Sequence, residues 1–201
     1  MTGSKLITSD LLRDLRRLCV AVFHPPDDDG EELLLQLRRI GCRAQAFWPP
    51  LPILPVGTDV VFIAVRPDTT IPDWSESREA MSPTVIAIVT YENPTIVGAT
   101  IKLGVNGVIA SPIRPFGLLS TLVISRQLNN NHRALQKHVQ RLENKLASVR
   151  QVADAKAILM KAREITEQEA YQVIRDQAMA KRTTVEQIAY TIVSANDILF
   201  S

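Results

Sequence analysis

Two apolar rhythms divide the chain. Up to about Ala110 the hydrophobic residues come in short unbroken runs: Leu18–Phe23, Val60–Val65 and Thr84–Thr90, with weaker ones at Arg43–Trp48 and Val105–Ala110. Runs of this length, bounded by turn residues, read as buried strands. Helical spacing lies between them. Glu31–Ile40 follows the acids Asp27, Asp28 and Asp29, carries Arg38 and Arg39 near its end and stops at Gly41; Pro94–Leu103 stops at Gly104. Between the third and fourth strands, Pro67, Pro72 and Pro83 leave room only for a short helix around Trp74–Met81. Continuous apolar strands alternating with helices predict an α/β fold whose five-stranded parallel sheet is covered on both faces.

Beyond Arg114-Pro115-Phe116, where proline sits at a tolerated early helix position, the rhythm changes. No strong breaker follows until about Arg163, with Gly117 placed in the first turn. About 48 residues at ~1.5 Å each would give a rod of roughly 70 Å. Along it Leu128, Leu135, Leu142 and Val149 occupy one heptad position, and His132, Val139, Leu146 and Ala153 the other. A sustained 3.5-residue period keeps one seam facing a partner helix, so the segment predicts a coiled-coil dimer. His132 in the seam, beside Asn131, either fixes register or marks an imperfect start. The flanking charges His138, Glu143, Lys145 and Arg150 do not decide between parallel and antiparallel pairing. Two shorter helices follow, opened by the capping-box patterns Thr166-Glu167-Gln168-Glu169 and Thr184-Val185-Glu186-Gln187. They should close a small C-terminal three-helix bundle with a core of Ile158, Leu159, Val173, Ile174, Ala178, Ile188 and Ile192. The domains expected are 1–113, 114–153 and 154–201.

Charge sharpens the division. Residues 1–125 carry 11 basic and 13 acidic side chains, and residues 126–201 carry 12 and 8. The basic C-terminal part permits a polyanionic partner, although solvated helices often have similar charge. Cys19 and Cys42 lie in apolar runs and read as buried, reduced thiols; there is no CxxC or Cys/His cluster for zinc. The N-terminus is interrupted by acids, and no run approaches the ~18–20 apolar residues of a membrane span. A cytoplasmic protein without membrane association is expected. No nucleophile–base–orienter set is visible, so neither catalytic residues nor a cofactor is expected.

The N-terminal pattern resembles the receiver (flavodoxin-like) domain of response regulators. Asp59-Val60-Val61-Phe62-Ile63-Ala64 is similar to the third receiver strand, whose end normally offers the phosphoacceptor aspartate; here that position is Ala64. Thr90 matches the hydroxyl residue ending the fourth strand. Gly104 to Pro112 resembles the fifth strand and its exit, with Ser111 where lysine usually precedes proline. Phosphoryl transfer needs a carboxylate nucleophile and a neutralising cation. The resemblance therefore implies a pseudo-receiver without a phosphoacceptor. Asp27, Asp28 and Asp29 then read as a solvated loop or helix cap rather than a metal site.

Pro25-Pro26, the run Leu35–Cys42 and Trp48-Pro49-Pro50 resemble the AmiR-type antiterminators of bacterial aliphatic-amidase operons. The Trp-Pro-Pro also reads as an indole packed beside a stiff turn, and an aromatic anchor next to proline makes a good partner contact. Ala155-Lys156-Ala157-Ile158-Leu159-Met160, Glu169-Ala170-Tyr171, Arg175, Ala178-Met179 and Ile188-Ala189 resemble the ANTAR module, a helical RNA-binding domain of transcription antitermination. Glu164 departs from it, standing where relatives often have glycine. The resemblance implies RNA contact near Lys156, Lys161, Arg163, Tyr171, Arg175, Lys181 and Arg182, while Ala155, Leu159, Met160, Ala170, Ala178 and Ala189 fit a core. Cations meet phosphates, and aromatic rings meet unpaired bases. The resemblance further implies a homodimer that binds leader mRNA, acts indirectly on transcribing RNA polymerase and is held silent by a periplasmic-binding-protein-like amide sensor.

Two rival readings are a DNA-binding transcription factor using the last two helices as a helix-turn-helix, and a coiled-coil protein-interaction adaptor. Against the first, Val185 to Ala195 contains no arginine or lysine, which a recognition helix needs for phosphates and base edges.

Overall fold

Alternation within the apolar runs decides which side of the sheet each residue covers. In a computed structural model describing residues 13–67, 69–74 and 83–200, five strands form: β1 (Cys19–Phe23), β2 (Arg43–Phe47), β3 (Val60–Val65), β4 (Thr84–Val89) and β5 (Gly107–Ala110). All neighbours pair in parallel, in the order β2-β1-β3-β4-β5. Every residue of β3 and β4 is buried, as a central strand covered on both faces requires. Their alternate side chains serve two cores. Val20, Val22, Val60, Phe62, Ile86 and Ile88 point to one; Ala21, Phe23, Val61, Ile63, Val85 and Ala87 point to the other.

Helix α1 (Asp28–Ile40) covers the first face through Leu33 and Leu37. Asp27 caps it by accepting from the Gly30 N–H at 3.0 Å, and Gly41 ends it at φ 104°. Helix α2 (Pro94–Leu103) covers the second face through Ile96, with Asn93 as N-cap and Gly104 in the left-handed region as its stop. Trp74 joins this second core: its ring lies 4.9 Å from that of Phe23, and its Nε1–H donates to the Leu51 carbonyl at 2.8 Å. Most of the helix expected around Trp74–Met81 falls at residues 75–82, outside the described residues, as does most of the amphipathic N-terminus.

Helix α3 (Pro115–Arg163) carries the main departures from the expected pattern. Phe116 (ψ 128°) and Gly117 (φ 96°) are not helical, so the regular helix starts after Gly117 rather than passing through it. Its first turns belong to the sheet, because Leu118 and Leu122 are fully buried in the first core. The chain accordingly divides into two compact units, residues 1–132 and 133–201. Packing of α3 on the sheet is close at one point: a Cβ on Gly107 would collide with the Ser125 hydroxyl. Cys42 is buried as expected, and burial pushes its thiol up to about 11, against the opposing influence of Arg126. Cys19 is only half-buried, since it opens a strand at the sheet's end.

In the second unit the C-terminal part of α3 packs with α4 (Glu167–Ala180) and α5 (Val185–Phe200). The centre of this bundle is Ala155, Leu159, Ala170, Ile174, Ala178, Ile188 and Ala189. Three of these alanines, Ala155, Ala170 and Ala189, have no exposed surface, and such small side chains let helices approach closely. Val173 and Ile192 pack around them, whereas Ile158, expected in the core, is half-buried and outside the cluster. Met160 is also exposed rather than buried, because it follows Leu159 on the outward side of the helix.

Candidate functional site

The carboxyl ends of the strands are where a receiver keeps its chemistry, and here internal bonds occupy its acids. Ala64 is buried in β3 beside Ile88 of β4. Asp27, just after β1, accepts from Arg66 Nη2 at 2.8 Å as well as from the Gly30 N–H. The buried His24 lies 3.1 Å from the same carboxylate. Burial raises the Asp27 pKa, but the Gly30 N–H, Arg66 and His24 together outweigh it and hold the carboxyl below its ordinary value. Asp29 accepts from the Ser111 hydroxyl and, at 2.9 Å, from the Ile113 N–H. A guanidinium and a hydroxyl thus engage carboxylates that a cation would otherwise need. Among the described residues no group of three or more His, Cys, Asp and Glu is placed to hold a metal ion. Thr90 is exposed just beyond β4. Gly30 is needed for this packing, since a Cβ there would come 2.6 Å from the Pro25 carbonyl oxygen.

The C-terminal unit presents its polar chemistry on the outside of the alanine-centred bundle. Thr166 and Glu169 form a complete capping box: the Thr166 N–H donates to Glu169 Oε2 at 2.8 Å, and the Glu169 N–H donates to Thr166 Oγ1 at 3.4 Å. The Thr166 N–H, joined by the Thr166 hydroxyl donating to the same oxygen at 2.8 Å, holds the Glu169 carboxyl below its ordinary pKa. Thr184 Oγ1 accepts from the Gln187 N–H at 3.2 Å and so starts α5. Two residues in the connections have left-handed backbones, Glu164 at φ 53° and Arg182 at φ 51°. Side chains with a Cβ disfavour that region, which is why glycine suits the first of these turns.

The candidate contact residues do not form one cluster. Lys161 and Arg163 are exposed in the last turn of α3. Tyr171 and Arg175 lie one turn apart on α4, both exposed, with Met179 continuing the same i, i+4 row. Lys181 is the C-cap of α4 and Arg182 follows it in the turn. Lys156 is half-buried and its ammonium is engaged by Glu167, whose pKa is lowered by that hydrogen bond. Of the seven, Lys156 and Tyr171 line a common groove, together with Lys145, Asn144, Ser148 and Glu186. Asn144, Lys145 and Ser148 were not legible as site residues: they sit among heptads, where polar residues read as solvated flanks. The seam residues Leu128, Leu135, Val139, Leu142, Leu146 and Val149 are all more than half exposed in the single chain, and His132 and Ala153 are exposed as well.

Comparison with known proteins matches this organisation. The N-terminal domain family of AmiR matches residues 18–126, and the ANTAR domain matches residues 140–193. The aliphatic amidase regulator of Pseudomonas aeruginosa is 33% identical over 183 residues, covering 90% of this chain and 93% of that protein. Among solved structures, the response regulator StyR aligns with a TM-score of 0.51 at 18% identity, covering 88% of this chain and 98% of that one, a likeness of fold. A CheY-like receiver domain protein from Methanospirillum hungatei aligns over 57% of this chain and 98% of its own, with a TM-score of 0.43 and 10% identity. With a receiver-like sheet whose acids are internally bonded, a long heptad helix and an ANTAR bundle in that order, the chain belongs to the AmiR family of transcription antitermination regulators.

Proposed function

We propose that the protein is a dimeric antiterminator that binds stem-loops in a nascent leader transcript through its ANTAR module and keeps a terminator hairpin from forming. The observation that carries this reading is the ANTAR match over 140–193, lying on a bundle whose exposed face combines Tyr171 with cations. Exposed lysine and arginine suit phosphates, and an exposed ring suits the unstacked bases of a loop. Two modules joined by the heptad helix would engage two loops, and the second contact would benefit from a raised effective concentration. Control by a ligand-sensing, amide-binding partner of the periplasmic-binding-protein type is supported by likeness to the aliphatic amidase regulator. Control without phosphorylation is supported by Ala64 and by the engagement of Asp27 and Asp29. The site of action is the cytoplasm, on RNA emerging from the polymerase; among the described residues no helix is long and apolar enough to cross a membrane. Against a helix-turn-helix reading, Val185 to Ala195 offers no cation to a DNA groove.

Replacing Arg175, Lys181 and Arg182 together with alanine tests the output surface. RNA hairpins selected by the wild-type protein should bind the variant more weakly, and each lost phosphate contact should lower the log–log salt slope by about 0.7–0.9. Replacing Arg38 and Arg39, on α1, should leave RNA affinity unchanged. The opposite pattern would rule out the assigned surface.

A further inference from the structure

An open groove of about 380 Å³ lies at the carboxyl ends of β1 and β2, in the N-terminal unit. Pro26, Leu34, Phe47 and Trp48 give it apolar walls, and His24 and Glu31 supply polar groups. None of these residues lies on the heptad seam. Trp48 is 39% exposed. His24 is buried, and its Nδ1 is engaged by the Pro25 carbonyl and by Asp27. The Glu31 carboxylate, by contrast, has no ion pair among the described residues. No lysine or arginine among the described residues lines the groove. Asp28, Asp29 and Glu31, in the first turn of α1, outweigh the roughly half positive charge of that helix end. The site therefore selects a cation, and an exposed indole beside a carboxylate favours a planar one.

Two features call for a polypeptide rather than a free small molecule. Leu35, one turn after Glu31 on α1, is 60% exposed, and Pro49 beside Trp48 is exposed too, so apolar surface continues past the rim. Among the described residues β2 pairs with β1 alone, so its outer edge offers backbone groups to an extended segment. We propose that this groove docks an extended segment of another protein through one arginine side chain. The guanidinium lies on the Trp48 indole and pairs with the Glu31 carboxylate, and the methylene stem covers Pro26 and Leu34. Tryptophan and arginine are the side chains that most often dominate such contacts. Lysine, a strongly hydrated point charge without a planar face, fills the site less well. The site belongs to the N-terminal unit and does not rest on the RNA-binding reading.

The probe is a pool of random peptides displayed on phage and selected against the full-length protein. Enriched peptides should share an arginine among apolar residues. With a selected peptide, Trp48→Ala should weaken binding roughly tenfold or more, as loss of a dominant interface side chain does. Glu31→Gln should weaken it as well and flatten its salt dependence, since an exposed ion pair is screened. As a readout independent of any variant's folding, citrulline in place of the peptide's arginine keeps the shape and removes the charge; the wild-type protein should bind that peptide as weakly as Glu31→Gln binds the original. The original peptide should also change the tryptophan emission of the wild-type protein, and most of that change should be absent in Trp48→Phe, which keeps only Trp74. Enrichment of no peptide, enriched peptides without arginine, or equal affinity for the citrulline peptide would overturn the site. So would unchanged affinity in Trp48→Ala and Glu31→Gln. Free N-acetyl-arginine amide binding as tightly as the peptide would overturn the polypeptide in favour of a small molecule. A smaller mass of Trp48→Ala in light scattering would overturn it in favour of a second copy of this chain. Hairpin binding by wild-type protein is measured separately, so none of these outcomes bears on the RNA-binding reading.

Discussion

Two single positions carry much of the physical account. Ala64 is a buried methyl at the position where the receiver resemblance leads one to expect the nucleophile, and the nearby acids are engaged by Arg66, Ser111 and the Ile113 N–H. Treatment with a phosphodonor such as acetyl phosphate should leave the intact mass unchanged, and a stoichiometric phosphoryl adduct would contradict this. Glu164 adopts a left-handed backbone at φ 53°. That conformation costs a residue with a Cβ ~1–2 kcal/mol, and glycine gives part of the gain back through its larger unfolded-state entropy. Glu164→Gly should therefore raise stability by about 1 kcal/mol or less, seen as a higher Tm of the full chain; a lower Tm would contradict the assignment. Local chemistry of this kind was legible in sequence: the acids at the start of α1, the capping box at Thr166 and the cap at Thr184 announce themselves within a few residues, and Glu164 departs from the pattern that the ANTAR resemblance leads one to expect. The Arg66–Asp27 and Ser111–Asp29 bonds were not, because they join residues 39 and 82 positions apart and exist only once the parallel sheet brings its strand ends together.

Among the elements, α3 places one row of positions in two environments. Stepping back by sevens from Ala153 through Leu146, Val139 and His132 leads to Ser125 and Leu118, both buried in the N-terminal unit. The same row thus packs on the sheet at its start and faces solvent beyond it. An exposed apolar stripe at heptad spacing is what a second helix would cover. Replacing Leu135 and Leu142 together with aspartate would place charges in that interface, at a cost of several kcal/mol if they stay unpaired. Light scattering should then show monomers, with circular dichroism still reporting a folded protein; an unchanged dimer would contradict the seam. The strands were legible because β3 and β4 are unbroken apolar runs, and α1 and α2 because acids, bases and glycines mark their ends. The start of α3 was not. A 3.5-residue count does not distinguish leucines packed on a sheet, such as Leu118 and Leu122, from leucines awaiting a partner, and Gly117 reads as helix until its φ of 96° is known.

At the scale of the whole molecule, a nearly balanced segment of residues 1–125 precedes a basic one of residues 126–201, and an ANTAR bundle follows a receiver-like sheet that belongs to the AmiR family. The order of the parts was legible from the change of rhythm after Ala110 and from the motif around Lys156, Tyr171 and Arg175. The groove beside Tyr171 was not, because it is assembled from three helices: α3 supplies most of its lining, and α4 and α5 add Tyr171, Val185 and Glu186 from far along the chain. Everything in the functional account depends on the identity of the polyanion. Equilibrium binding of the full-length protein to structured RNA and to duplex DNA of equal length, at two salt concentrations, tests that point most directly. The account predicts tight RNA binding that persists in part at the higher salt, because base contacts add to phosphate contacts, and weak duplex binding that salt abolishes. Tighter binding to duplex DNA at both salt concentrations, or binding to neither, would contradict it.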